Sequence, residues 1–394
     1  MNSSEVQGMK AAGVVIVIPT RNRVDLAKLA ISSALAVDQA DVLRIVVSDN
    51  STDRTNSREL DHFVESIEDT RLVLIRPQDP LSMTAHWNWA MAQVLAMAGT
   101  THVTFLTDRM VFRTQGFGEA CALSRRFPED IISYADDRVQ DDRRPVVYAP
   151  SVRSGKRFRI ESMSLLEQSA RMSFFTCLPR MMNCIVPKAH LDVLKSKHGQ
   201  YFSSISPDFC FCYRTLASVG SIVYLDKSVL VSHGYDRSNG HSFIKGKTTE
   251  TSEDFISQLP RGGTLCGSTP LPDVHTVGNA IVNEYVKVRE EYMGALPPLS
   301  TPAYLTCLAA ETWRFDDPAK ARAVRKRLAS AGWRPDAKFS WQMARVRLMA
   351  IIHSLIEHRF SDPAAAMRAA VHEPTFKVSW LHRVARPYRA TEIT

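Results

Sequence analysis

The sequence has no stretch of 18 uninterrupted apolar residues, which excludes a bilayer-spanning helix. Its opening residues show no secretory leader: the apolar run at 14–18 is too short and no small-residue cleavage site follows it. No two of the seven cysteines (Cys121, Cys177, Cys184, Cys210, Cys212, Cys266, Cys307) have CxxC spacing, and their number is odd. That argues against a zinc site or a disulfide framework, and for reduced, mostly buried thiols. No GxGxxG is present, which counts against a dinucleotide fold. Internal repeats and low-complexity tracts are missing too. These absences together lead us to expect a cytoplasmic protein that at most touches the inner face of a membrane.

The chain has 394 residues, 45% hydrophobic and 23% charged, the balance of a globular protein with ample apolar surface to bury. The net charge of +8 comes from 49 basic and 41 acidic residues. Residues 301–394 hold 16 basic against 8 acidic, whereas the first 300 hold 33 of each. A globally basic nucleic-acid binder would not be built this way. The local surplus suits an anionic membrane surface or an acidic partner.

Residues 13–140 alternate strand-like and helix-like stretches. Strands are expected at 14–18, 43–47, 72–75, 102–106 and 131–134, with helices at 26–34, 84–98 and 117–127 between them. This order predicts a mainly parallel α/β sheet flanked by helices, with ligands at the carboxyl ends of the strands. A helix at 161–172 and strands near 183–186 and 222–230 follow. Residues 246–300, rich in Gly, Pro, Ser and Thr, read as a linker or surface excursion. From 301 the pattern is helical again, with basic amphipathic stretches at 319–331 and 342–358.

Polar residues gather where the strands end. Pro19-Thr20-Arg21-Asn22-Arg23 follows the first strand, and its side chains could hold an anion at a helix N-terminus. Taken alone it is equally a capped strand-to-helix turn. Ser48-Asp49-Asn50-Ser51-Thr52-Asp53 follows the second, where Asp49 could accept from a nucleobase or simply close an Asx-turn. Asp136 to Arg144 alternates charge sign in an expected loop and reads as self-paired, solvated charge. The methionines of Leu178-Pro179-Arg180-Met181-Met182-Asn183 read as core.

Val-Ile-Pro-Thr-Arg-Asn-Arg, the helix with Ser-Ser-Ala-Leu, and Ile-Val-Val-Ser-Asp-Asn-Ser-Thr-Asp together resemble family 2 glycosyltransferases of the GT-A fold. The resemblance continues through His86-Trp87-Asn88-Trp89-Ala90-Met91 and Thr104-Phe105-Leu106-Thr107-Asp108-Arg109, and covers about 1–245. It implies a donor half (13–140), an acceptor half (141–245) and a nucleotide-diphosphate sugar as donor. Pro19, Thr20, Arg21 and Asp49 then hold the nucleotide, with Arg23 beside them and Asp108 near the ribose. The family's second acid, which binds a divalent metal (Mn or Mg), is replaced by Arg109. A guanidinium can neutralise part of a diphosphate through bidentate bonds, so metal dependence is in doubt and Arg109 becomes a candidate electrophile. Asp208, in Ser206-Pro207-Asp208-Phe209, matches the general base of inverting members; a helix N-cap is the plainer reading of the same residue. The post-sheet loop Ser232 to Gly240 contributes His233, a metal ligand in some members, and Arg237, which could reach the diphosphate. Were a metal bound, Asp108 and His233 would be its ligands.

The resemblance thus implies an inverting transferase acting on a hydroxyl of a glycan or lipid-linked glycan, as in polysaccharide biosynthesis. The rival, motivated by the missing acid, is a non-catalytic binder of nucleotide-sugar or of a glycan-assembly partner. Residues 301–394 are expected to form a basic helical region able to touch a membrane or to dock on the chain itself or a second copy.

Overall fold

The computed structural model describes residues 13–140, 146–148, 153–203, 206–233, 265–337, 339–341, 343–344, 362–372 and 387–394. At its centre lies β1 (Val14–Thr20), a β-branched run buried along its whole length. Its alternate side chains feed two cores, one on each face of the sheet. Val15 and Val17 pack with Trp87, Met91 and Val94 of α3 (Met83–Ala96). Val14, Ile16 and Ile18 pack with Ala27, Ala30, Ile31 and Ala34 of α1 (Val24–Leu35) and with Phe117 of α4 (Thr114–Arg126). Each such buried aliphatic side chain contributes about 1.5–3 kcal/mol, so neither face tolerates a polar substitution.

Parallel to β1 run β2 (Arg44–Asp49) on one side and β4 (His102–Phe105) on the other, with β3 (Leu72–Ile75) beyond β2. The sheet continues past β4 through β9 (Cys184–Pro187), β6 (Ile132–Gln140), β10 (Ser221–Ser232), β8 (Arg157–Glu161) and β11 (Ala390–Ile393). β9 and β8 run against their neighbours, while β6 and β10 are parallel. Two short strands, β5 (Met110–Phe112) and β7 (Val146–Tyr148), pair with β10 and β6. The result is a mixed α/β fold whose central, mostly parallel sheet is flanked by helices, followed by a helical C-terminal region. The chain steps from β1 outward to β2 and β3, then crosses back to β4 on the opposite side of β1. Between the carboxyl ends of β1 and β4 the strand order reverses, and open α/β sheets bind ligands at such a point.

Three expectations need correction. Within the expected linker, Val277–Glu291 is a 15-residue helix, α8. Thr276 caps it by accepting from the Asn279 amide, and Ile281, Tyr285 and Val288 join the main core beside α7 (Pro207–Ser218). Turn-forming composition before residue 277 hides that helical spacing. Second, the C-terminal region is not helical to its end. Residues 390–393 form β11, antiparallel to β8, and α11 (Pro363–His372) sets Ala366, Met367 and Ala370 against Val111, Val139, Val147 and Val231. Third, Asp136 and Asp137 lie in strand β6 and are buried, not in a solvated loop. The helix expected at 319–331 is present as Pro318–Ser330, α10. The one expected at 342–358 falls outside the described residues except for 343 and 344, as do residues 141–145 and 246–264.

Six of the cysteines are buried and Cys307 is half-buried, with no disulfide among them. Among the described residues no helix is long and apolar enough to cross a membrane.

Candidate functional site

The loops after β1 and β2 are stitched into one unit by Asn22. Its backbone takes the left-handed conformation (φ 53°), which asparagine tolerates better than most residues. Asn22 Oδ1 accepts from the Thr52 and Asp53 amides at 2.9 and 3.0 Å, and its own amide donates to Ser51 Oγ at 2.8 Å. Arg21 Nη1 donates to the Leu81 carbonyl, which Asn50 Nδ2 also meets. The two motifs separated in the sequence are therefore a single surface at the switch point.

Asp108, one residue past Thr107 on the loop leaving β4, closes this surface. Its Oδ2 accepts from Thr20 Oγ1 at 3.0 Å and lies 2.9 Å from Arg23 Nε. Its Oδ1 is buried with no hydrogen-bond partner among the described residues. Burial pushes the Asp108 carboxyl above its ordinary value, against the opposing charges of Arg23 and Arg109 and the Thr20 bond. Asp49, also buried, is satisfied from within: Ser51 N donates to Oδ1, and Ser57 Oγ and Arg76 Nε donate to Oδ2. Burial raises its pKa, but bonds from Ser51, Arg76 and Ser57 outweigh that and hold it below the usual carboxylate range. The bond from Ser51 is the Asx-turn of the plainer reading. Arg76, which also pairs with Asp61, carried no motif in the sequence.

Arg109 and His233 bridge each other. His233 N donates to the Arg109 carbonyl at 2.7 Å, and Arg109 Nη1 donates to the His233 carbonyl at 3.1 Å. The antiparallel register of β5 with β10, Met110 opposite Ser232, makes them neighbours. Arg237 lies outside the described residues.

Asp208 is not the helix cap. Ser206 occupies that position, and Asp208 lies half-buried in the first turn of α7. Burial raises its pKa; the Arg180 charge, the amides of Phe209 and Asp208, and Arg109 oppose the rise without cancelling it. Arg109 is thus within electrostatic reach of both Asp108 and Asp208. A carboxylate more basic than usual beside two guanidinium groups can take a proton while neighbouring negative charge is neutralised.

Arg180 lies in the stretch Leu178 to Asn183, whose methionines are indeed core, Met181 being fully buried. Arg180 Nη2 meets Asp136 Oδ1 at 3.4 Å, and Arg138 lies 3.6 Å from the same carboxylate. Asp137 next door faces Arg113 at 3.3 Å and Arg153 at 3.7 Å. On this side four arginines surround two aspartates. Behind β2, Ser48 Oγ and His86 Nε2 are 2.7 Å apart; both are buried, and burial lowers the His86 pKa to about 4.

A divalent ion does not fit these residues. Among those described no three His, Cys, Asp or Glu side chains converge, and the neighbours of Asp108 are a hydroxyl and two cations.

No family model matches the chain, and no curated protein matches it. Solved structures are similar. A crystal structure of S. aureus TarS is 15% identical with a TM-score of 0.44, over 80% of this chain and 55% of that one. TarS 1-349 in complex with UDP-GlcNAc is 13% identical (TM-score 0.46), and its complex with UDP 14% (TM-score 0.45). Each of these two matches spans 81% of this chain and 92% of the other. The chain spans about half the length of the first TarS structure.

Proposed function

We propose that this protein is an inverting glycosyltransferase of GT-A type, moving a sugar from a nucleotide-diphosphate donor to a hydroxyl of a glycan or lipid-linked glycan. The observation that carries the reading is the buried Asp108 carboxylate, held by Thr20 and Arg23 beside the reversal in strand order, with the Arg109 charge acting on both it and Asp208.

In this reading the donor nucleotide lies across Pro19, Thr20, Arg21 and Asp49, and the unsatisfied Oδ1 of Asp108 accepts from a ribose hydroxyl. Asp208 takes the proton of the acceptor hydroxyl as that oxygen bonds to the anomeric carbon. The bond from that carbon to the diphosphate breaks on the opposite face, and its electron pair leaves with the diphosphate. Arg109 neutralises the leaving charge, a role in which preorganised cations contribute several kcal/mol. The base alone accounts for about 10²–10⁴ in rate.

Donor turnover across UDP-, GDP-, CMP- and dTDP-sugars, with and without Mn²⁺, tests this. Turnover of one donor class supports the transferase. Tight nucleotide binding with no turnover in either condition would favour the binding protein, a reading encouraged by the pairing of Arg23 with Asp108.

A further inference from the structure

Arg109 owes its place to a very short strand. β5 follows it directly, and the ladder of β5 with β10 has three pairs: Phe112 with Leu230, Val111 with Val231 and Met110 with Ser232. The exchange between Arg109 and His233 prolongs that ladder at the end nearest the site. Side chains alternate along a strand, so a ladder this short needs packing on both faces to hold still. Met110, Phe112 and Leu230 join the core beneath α1 and α4, where Phe112 stacks on Phe117 at 4.0 Å and its amide donates to Ser33 Oγ.

Val111 and Val231 turn the other way, into a separate small core in which both are buried. Val139 and Val147 of the β6–β7 pair complete its floor. Ala366, Met367 and Ala370 of α11 form its roof, with Leu29 of α1 at the margin. Pro363 opens α11, and Asp362 Oδ1 accepts from the Ala365 amide at 2.7 Å, so the helix begins on a capped first turn. Positions 366, 367 and 370 then share one helical face, on which Met367 is the one long side chain. Beyond α11 the chain is fastened to the sheet again, as β11 on β8.

We propose that α11 is a positioning element for the site. By covering Val111 and Val231 it holds the end of the β5–β10 ladder, and with it Arg109, in place for a diphosphate. Met367 is the positioning residue; it acts through the two valines and touches no ligand. The diphosphate role of Arg109 rests on the transferase reading, whereas the coupling of α11 to the ladder rests on packing alone. An undocked α11 would leave Arg109 on a frayed ladder, in a site that reads the nucleoside but has lost its grip on the diphosphate.

The test compares the full chain with its Met367→Asp variant by calorimetric titration of UDP and uridine and by hydrogen exchange. Met367→Asp should speed exchange in 109–113 and 229–233 while the loops at 20–23 and 49–53 stay as protected as in the wild type. The advantage of UDP over uridine should shrink about 10-fold, as loss of one charge-assisted pair allows, with uridine affinity unchanged. Arg368→Gln, on the exposed side of the same helix, makes the same change in net charge and should do neither. An undiminished UDP advantage in Met367→Asp overturns the proposal, as does an equal loss of affinity for UDP and uridine, which would make α11 a plain stabiliser. Unchanged exchange in 109–113, or the same loss in Arg368→Gln, overturns it too. Should Met367→Asp not fold, Met367→Ala decides, an unchanged UDP advantage counting against the proposal. If the wild type itself binds UDP no better than uridine, the transferase reading falls, and faster exchange in Met367→Asp still leaves α11 as the element that places Arg109.

Discussion

The two sides of the crevice are built on different charge principles. After β1 and β2, charges are matched: Asp49 has Arg76, and Asp108 has Thr20 and Arg23. After β6 and at the start of α7, four arginines share Asp136 and Asp137, and Asp208 is left half-buried. A matched surface holds its own shape and offers a ligand hydrogen bonds. In the proposed reading the first side recognises the nucleotide and the second handles the negative charge.

The sharpest way to break this comparison is Asp208→Asn, which keeps size and removes the basic lone pair. Transfer should fall by about 10²–10⁴ while donor binding, measured by calorimetry, stays within a few-fold. Near-wild-type turnover would remove the base from the second side altogether. Next is Asn183→Ala, which leaves the carbonyls of Tyr134, Thr176 and Leu178 and the Arg180 amide without their partner. A loss of about 2–4 kcal/mol is expected in urea denaturation. Arg109→Ala should weaken UDP binding about 10- to 100-fold and leave uridine binding unchanged, because only the diphosphate meets the guanidinium. Equal UDP affinity in variant and wild type would make Arg109 a structural bridge to His233.

On the matched side the expected effect is one of stability and pH. His86 titrates at about 4 when folded and near 6.5 when unfolded, so the unfolded chain binds the proton first. Its contribution is fully present above pH 6.5 and is lost as pH falls toward 4, about 2 kcal/mol by pH 5. His86→Gln should lose less stability between pH 7 and pH 5 than the wild type does. An identical acid sensitivity in the two proteins would contradict the assignment.

The smallest effect concerns residues 301–394, which we propose touch an anionic membrane surface. In α10, Arg325 turns onto Thr312 and Trp313, and Arg327 pairs with Asp273, while Arg322 and Lys326 are exposed. Each basic residue near such a surface is worth about 1 kcal/mol. Arg322→Glu with Lys326→Glu should reduce co-flotation with anionic vesicles at low salt. No flotation by the wild type would end the membrane reading.

The parallel half of the sheet was legible because a strand buried on both faces must be apolar at every position, as residues 14–18 are. Helix α2 (Arg54–Glu65) was not, since Leu60 is its one buried residue and apolar spacing has nothing to register. β11 was hidden for a similar reason: Ala390, Thr391 and Glu392 are exposed, and pairing with β8 alone makes them a strand. Among site residues, Thr20 stood out as a polar group at a strand end, and Asp108, Arg109 and Asp208 through the resemblance. Arg76 and Arg180 pair with Asp49 and Asp136, far along the chain, which neither spacing nor composition reveals.

The account turns on sugar transfer driven by one carboxylate and a guanidinium. The most direct measurement is the anomeric configuration of the product, followed by NMR in excess EDTA with the donor sugar identified by the turnover panel. The account predicts continued turnover and a configuration opposite to that of the donor. A product that keeps the donor's configuration, or turnover that stops until metal is restored, would contradict it.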